Sequence, residues 1–338
     1  MRILENIPLS KYTTLRIGGP ARYFVEVTDE HELSEGLTFA KVKPSETPVF
    51  ILGGGSNILF ADKGFDGLII RPMIMGREIV RETDDHVLVR VGAGEVLDNV
   101  IDWAVKNNWW GMENLSFIPG LTGALAIQNV GAYGQEASEV IESVEVFDIA
   151  NGKSQMLSWE ECEFAYRHSR FNTRDKNKFV ILRATLRLKK SGTPNLQYKD
   201  LQDYFGIAPA SPPPLTIRGG SGEINQADVR KAVIEIRTKK GQDTSEVWSA
   251  GSFFKNFVVS DNDGNEYKIS AAEILDKRLG LKGFRVGGAK LSEKQVINVI
   301  NAGGASAKDC IELFEQVREI VREKTGLILV NEPEFVGF

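Results

Sequence analysis

Val49-Phe50-Ile51-Leu52-Gly53-Gly54-Gly55-Ser56-Asn57 carries a short apolar β-type run straight into three glycines, a serine and an asparagine. Glycine permits left-handed backbone angles and lets another group approach the main chain closely. Successive N–H groups in such a turn can converge on an anion, most often a phosphate. A tight turn packed against a strand explains the same letters equally well. The neighbouring sequence shifts the balance, because two further glycine-rich stretches follow and each again adjoins an apolar run.

The first of these follows an alternating strand pattern over 86–91. Gly92-Ala93-Gly94-Glu95 then leads into helical spacing over 96–107. The order resembles the start of a dinucleotide fingerprint, but Leu97 stands where the third glycine belongs. A turn at a helix start is the better reading. The second is the densest in the chain: Ile118-Pro119-Gly120-Leu121-Thr122-Gly123-Ala124, then Gln128-Asn129-Val130-Gly131-Ala132-Tyr133-Gly134. A core helix would not use glycine this freely, since each costs about 1 kcal/mol relative to alanine. The backbone must pass close to something, either a flat cofactor ring or another loop.

Composition sets outer limits. The 338 residues suffice for two or three domains. With 42% hydrophobic and 26% charged residues the chain reads as a soluble globular protein, and a net charge of −5 argues against a general nucleic-acid or anionic-membrane binder. Cys162 and Cys310 lie far apart, and the three histidines are scattered, so no metal site is expected. Two cysteines in a chain of this length fit a reducing compartment. No apolar leader or bilayer-length run is visible, so the expected location is cytoplasmic.

Elsewhere the periodicities predict a strand over 21–27, a helix over 29–41 and strands at 68–70, 140–149 and 179–188. Helices are expected over 227–237, capped by Asn225, and over 270–275, 292–302 and 307–324, with Gly326 ending the last. A strand is expected over 327–330. The Pro- and Gly-rich run 209–222 reads as a loop or boundary. Phe164-Ala165-Tyr166-Arg167-His168-Ser169-Arg170-Phe171 sets arginines among aromatics, suiting a carboxylate or phosphate, whereas His168 alone says little. In Gly251-Ser252-Phe253-Phe254-Lys255-Asn256, Ser252 lacks a nucleophile elbow and makes better sense as a proton-donating hydroxyl. Lys239 and Lys240 follow a helix end, where cations are favoured, and can equally serve as anion ligands.

Taken together the motifs resemble one family, the UDP-N-acetylenolpyruvoylglucosamine reductases, in its order from about Thr13 to Glu334. Its marks are Gly53 to Asn57, Ile118-Pro119-Gly120 with Gly123-Ala124, Gln128 to Gly134, Tyr166-Arg167-x-Ser169-x-Phe171, Gly251 to Asn256, and Pro333-Glu334. The resemblance implies an α+β chain: a two-part FAD-binding domain of the PCMH/vanillyl-alcohol-oxidase type, then a C-terminal α/β substrate-binding domain. The matching boundaries are 1–70, 71–200 and 201–338.

By resemblance, Gly53, Gly54, Gly55, Ser56 and Asn57 bind the diphosphate of non-covalent FAD. Ile118, Gly123, Gln128, Asn129, Gly131, Ala132 and Tyr133 line the rest, and Arg237 lies near the flavin ring. NADPH reduces the flavin, and hydride then passes to the vinyl carbon of a UDP-sugar enolpyruvyl ether in peptidoglycan precursor synthesis. Ser252 supplies the proton, while Arg167 and Glu334 stabilise the developing charge through the substrate carboxylate. A carboxylate helps there only when protonated or bonded through a donor. Lys240, Lys255 and Asn256 hold the diphosphate and sugar, and Tyr198 resembles the tyrosine of the long-loop subtype. A monomer is expected.

The chain departs from the family at Phe257, where proline is usual, and at Phe335, where valine is common. It also has Leu121 after Gly120, and an insertion-like stretch over 208–223. Two other readings stay open, a different flavin oxidase on the same scaffold and a non-catalytic nucleotide-binding module.

Overall fold

The computed structural model describes residues 1–42, 47–207, 223–260 and 264–338. The insertion-like stretch, apart from Glu223, lies outside them. The chain groups into two compact units that are discontinuous in sequence. The first holds Met1–Ile3, Val25–Gly54 and Ile69–Arg237; the second holds Leu4–Phe24, Gly55–Leu68 and Thr238–Phe338. The division passes through two strands, Pro20–Val27 and Phe65–Pro72, and through the glycine turn itself.

The first unit is built on an antiparallel sheet of five strands. Their order is Lys153–Ser158, Ile141–Asp148, Phe179–Lys189, His86–Gly92, Arg77–Glu82. Alternation in the fourth strand sends Val87, Val89 and Val91 into the core. Helix α1 (Glu30–Val42) packs Gly36 against Ile70 and Val25. Helix α2 (Leu97–Lys106) covers the sheet with Leu97, Val100, Ile101, Ala104 and Val105, the stripe a 3.6-residue period creates. Helix α3 (Lys199–Phe205) and helix α4 (Gln226–Lys239) form a smaller core with Tyr133: Leu201 and Phe205 meet Val229, Ala232 and Val233. Asn225 caps α4 as expected, its Oδ1 accepting from the Ala227 and Asp228 N–H groups.

The second unit packs one long helix on a four-stranded sheet ordered Ser249–Ser252, Asn298–Asn301, Ala289–Leu291, Arg285–Val286. A short helical turn, α5 (Ala271–Glu273), continues as a π-turn over Ile274–Arg278. Helix α6 (Ala307–Thr325) buries Cys310, Leu313, Phe314, Val317 and Val321. Ser306 and Asp309 form its capping box, Asp62 accepts from the Ala307 and Lys308 N–H groups, and Gly326 closes it at φ 74°.

Two expected elements differ. The span 292–302 is no helix; Asn298–Asn301 is an inner strand of this sheet. Val296, Val299 and Ile300 satisfy helical spacing, but the β-branched run crowds a helix turn and suits a pleated strand paired on both sides. Nor is 327–330 a strand. Leu329 is buried while Ile328 and Val330 are exposed, and the strand comes after Pro333, where Glu334–Val336 pairs in parallel with Ile58–Phe60.

Cys162 and Cys310 are buried and unbridged, and burial pushes each thiol up to about 12. An ordinary thiol titrates near 8.5. Each therefore favours the folded state below that value, and the contribution is lost as pH rises toward 12. At pH 8.5 the folded thiolate fraction is about a thousandth of the unfolded one. Iodoacetamide should accordingly label native protein at least ~100-fold more slowly than urea-unfolded protein. Equal labelling rates would contradict the burial.

Candidate active site

In the first unit the glycine-rich stretches lie against each other. A Cβ built on Gly54 would sit 2.5 Å from the Gly120 Cα, so that backbone contact needs glycine. Gly123 meets Ala93 in the same way, at 2.8 Å from its Cβ. Four hydrogen bonds then pin 120–123 to 93–97: Leu97 N–H to Gly120 O, Thr122 N–H and Oγ1 to Glu95 O, and Gly123 N–H to Ala93 O. Gly92 and Gly94 face the 73–75 backbone, which supports the turn reading over a phosphate cradle.

Gly131–Ala132 and Gln135–Glu136 form a hairpin whose central residues, Tyr133 (φ 49°) and Gly134 (φ 82°), both have positive φ. That is the signature of a type I′ turn. An aromatic residue there carries strain on the order of 1 kcal/mol. Asn129 braces the hairpin. Its Nδ2 donates to Glu136 Oε2 and Ala165 O, and its Oδ1 accepts from Ser138 N–H, so this side chain holds protein. Arg167 (φ 53°) sits in the turn between Ala165 and His168, stacks over Tyr166 at 5.3 Å, and donates through Nη2 to Gly131 O at 2.8 Å. The arginine of one motif thereby fixes the loop of another. Ser169, buried, donates to Ile127 O; its place in the motif is structural. Ile118 and Gln128 are half-buried in the same stretch.

Arg237, near the end of α4, donates from Nε to Phe117 O at 3.1 Å and hydrogen-bonds the Tyr133 hydroxyl. Both partners are neutral. Burial holds the guanidinium below the usual arginine range and pushes Tyr133 up to about 12. The Asp98 carboxylate acts on the guanidinium through space and offsets part of the cost of burial, and a further anionic group would offset more. Tyr198 sets its ring edge-on to Tyr133, 5.2 Å between centroids.

Two residues missed in the sequence reading hold this region. Asp98 accepts from Phe117 N–H at 2.6 Å and takes the Arg230 guanidinium on both oxygens, at 2.6 and 2.9 Å. Phe117 (φ 62°) is thus held at its N–H by Asp98 and at its carbonyl by Arg237. Burial works against the Asp98 carboxylate, but Arg230 and the Phe117 N–H hold it below its ordinary range. Its contribution is present at neutral pH and lost as pH falls below the unfolded value near 4. Asp98→Ala should destabilise the protein by roughly 2 kcal/mol in urea titrations at pH 7, and by less at pH 3. An equal loss at both pH values would contradict this role.

In the second unit, Gly55 (φ 64°) lies so close to Tyr12 that a Cβ would fall 1.9 Å from its carbonyl oxygen. Ser56 and Asn57 follow, and the Asn57 carbonyl accepts from Glu334 N–H at 3.1 Å. Between Ser249 and Ser252 the ladder shifts register, with Gly251 at φ 72°, so a bulge sets the direction of Ser252. Glu332 N–H donates to Phe253 O, Phe254 bridges Asn331, and Lys255 N–H donates to Val330 O. The segment carrying Glu334 therefore runs beside the one carrying Ser252. Phe253 and Phe254, both buried, anchor it against Phe314, and Phe253 also packs on Phe335. Asn256 Oδ1 accepts from Ala271 N–H at the start of α5. Lys255 and Lys240 are half-exposed.

Residues 242–336 match the family model for the C-terminal domain of UDP-N-acetylenolpyruvoylglucosamine reductase, and residues 21–158 match an FAD binding domain. A UDP-N-acetylenolpyruvoylglucosamine reductase of Cutibacterium acnes is 36% identical, covering 98% of this chain and 90% of that protein. One of Bdellovibrio bacteriovorus is 33% identical, covering 98% and 99%. The crystal structure of the reductase from Thermus caldophilus superposes with a TM-score of 0.68 at 28% identity, over 99% of both chains. Near-complete matches at this identity, together with the motif residues placed above, show that the chain belongs to the UDP-N-acetylenolpyruvoylglucosamine reductase family.

Proposed function

We propose that this chain reduces UDP-N-acetylenolpyruvoylglucosamine to UDP-N-acetylmuramate, with Ser252 as proton donor and Arg167 and Glu334 acting on the substrate carboxylate. The observation that supports the Ser252 and Glu334 roles is the pairing of 253–255 with 330–332, next to the bulge at Gly251. It gives a hydroxyl and a carboxylate from opposite ends of the C-terminal sequence a shared neighbourhood. Bound FAD would supply the hydride, itself received from NADPH. Arg237 fits that cofactor, since its hydrogen-bonded partners are neutral, the nearby Asp98 carboxylate is already taken by Arg230, and a guanidinium so placed favours an electron-rich or anionic group. At Gly53 a Cβ would meet only Ala124 at 3.5 Å, so packing does not demand glycine there, which is in keeping with a backbone contact to the diphosphate.

The residues of the chain then have distinct work. Arg167 presents a planar fork to the substrate carboxylate, and charge developing beside that carboxylate is stabilised by about 3 kcal/mol per donor. Glu334 adds to this contact only by donating a hydrogen bond or through an intervening donor, since an ionised carboxylate would repel the substrate's. Ser252 gives its hydroxyl proton to the carbon next to the carboxylate and recovers one from solvent. Lys240, Lys255, Asn256 and Tyr198 hold the nucleotide and sugar. The three-part division at 70 and 200 is kept as a proposal, with a monomeric enzyme. Two buried, unbridged cysteines support a cytoplasmic setting, and no described helix is long and apolar enough to cross a membrane.

Purified protein should be yellow, bleach anaerobically with NADPH, and recolour when the enolpyruvyl nucleotide is added. Bleaching without recolouring would remove the assigned substrate; protein that binds no FAD would remove the whole reading.

A further inference from the structure

Glu113-Asn114-Leu115 forms a single 3-10 turn, and Asn114 is fully buried. Both hydrogens of its carboxamide are used. Nδ2 donates to the Tyr133 carbonyl at 2.8 Å and to the Asn195 carbonyl at 2.9 Å. The Asn114 backbone N–H donates to Gln135 Oε1 at 3.1 Å. Asn195 returns a bond from its own Nδ2 to Gly134 O at 2.8 Å, and its Oδ1 accepts from Gln197 N–H. Asn114 Oδ1 has no hydrogen-bond partner among the described residues.

A buried acceptor left unsatisfied is unfavourable, and this chain tolerates it. What the carboxamide provides in return is two donors in a fixed fork, aimed at two carbonyls from segments far apart in sequence. Of side chains this size, leucine has no polar atom, and a buried aspartate has at most the single O–H of its protonated form. One of the joined segments is the Tyr133 hairpin. The other leads directly to Tyr198, whose ring rests on Tyr133.

We propose that Asn114 is a positioning residue that couples the 131–135 hairpin to the segment 195–198, so that cofactor held by the first orders Tyr198 for substrate. The proposal rests on the flavin reading above. Coupling of this kind is reciprocal: whatever orders one segment stabilises the other.

The test is hydrogen exchange on the full chain, without and with FAD. In the wild-type protein FAD should slow exchange in 131–135 and also in 195–201. In Asn114→Leu, which removes both donors but leaves Asn195 Nδ2 on Gly134 O, protection should remain in 131–135 and fall in 195–201. The KM for the enolpyruvyl nucleotide should rise at least about tenfold, as expected when the bond to the Asn195 carbonyl is lost along with the one to Tyr133, with NADPH-driven bleaching within about twofold of wild type. A merely structural role would lower both half-reactions together.

Wild-type protein in which FAD protects 131–135 but not 195–201 would overturn the coupling, and this outcome does not depend on the variant folding. So would unchanged protection of 195–201 in Asn114→Leu. Failure of the wild-type chain to bind FAD at all would instead overturn the flavin reading.

Discussion

Ser252→Ala protein should still bleach with NADPH at the wild-type rate, while turnover of the enolpyruvyl nucleotide falls about 10²–10⁴-fold, the usual weight of a positioned proton donor. The substitution removes one oxygen from a half-buried position and leaves the strand register with Asn298 in place. Nothing in the first unit changes, so the half-reaction with NADPH has no reason to slow. Because the proton is needed only as the double bond is reduced, kcat and kcat/KM for the nucleotide should fall together. The wild-type rate should also show a solvent isotope effect that the variant alters. Full product turnover in Ser252→Ala would remove serine from the chemistry. Equal loss of both half-reactions would mean that the change had disturbed flavin binding.

That experiment isolates the role whose sequence signal was most specific, and the contrast with other residues shows where sequence reading stops. Helices α2, α4 and α6 were legible because their apolar stripes and caps lie within a few residues of each other; Asn225 and Gly326 do what their positions suggest. The span 292–302 misled because Val296, Val299 and Ile300 satisfy a helical period while β-branching and sheet partners on both sides decide otherwise. At the proposed site, motif matching singled out Arg167, Ser252 and Glu334 for the roles proposed above. It gave no sign that Arg167 holds Gly131, or that the Asn129 side chain is taken up by Glu136, Ala165 and Ser138. Asp98 and Asn114 were invisible for a simpler reason. Each acts through hydrogen bonds to loops distant in the chain, and a polar residue on a helix or turn carries no local mark of such partners.

Alanine at Gly55 should give colourless protein, with FAD affinity at least ~100-fold weaker and a stability loss of roughly 2–4 kcal/mol. Two costs combine there. A non-glycine residue at φ 64° pays about 1–2 kcal/mol, and the new Cβ would lie 1.9 Å from the Tyr12 carbonyl, which is backbone and cannot swing aside. The chain must shift, breaking the Thr14 N–H to Gly55 O bond and turning Ser56 and Asn57 with it. Gly152 separates the two costs: its φ is 68°, but nothing lies within 4 Å of its Cβ position, so Gly152→Ala should cost only about 1 kcal/mol and stay yellow. Gly53 separates fold from ligand. Its Cβ would make an ordinary 3.5 Å contact with Ala124, and its φ is not in the left-handed region, so Gly53→Ala should unfold at the wild-type urea midpoint. If the Gly53 backbone touches the diphosphate, that stable variant should nevertheless lose FAD. Wild-type flavin affinity in both Gly53→Ala and Gly55→Ala would mean that the cofactor sits elsewhere and that this turn serves packing alone.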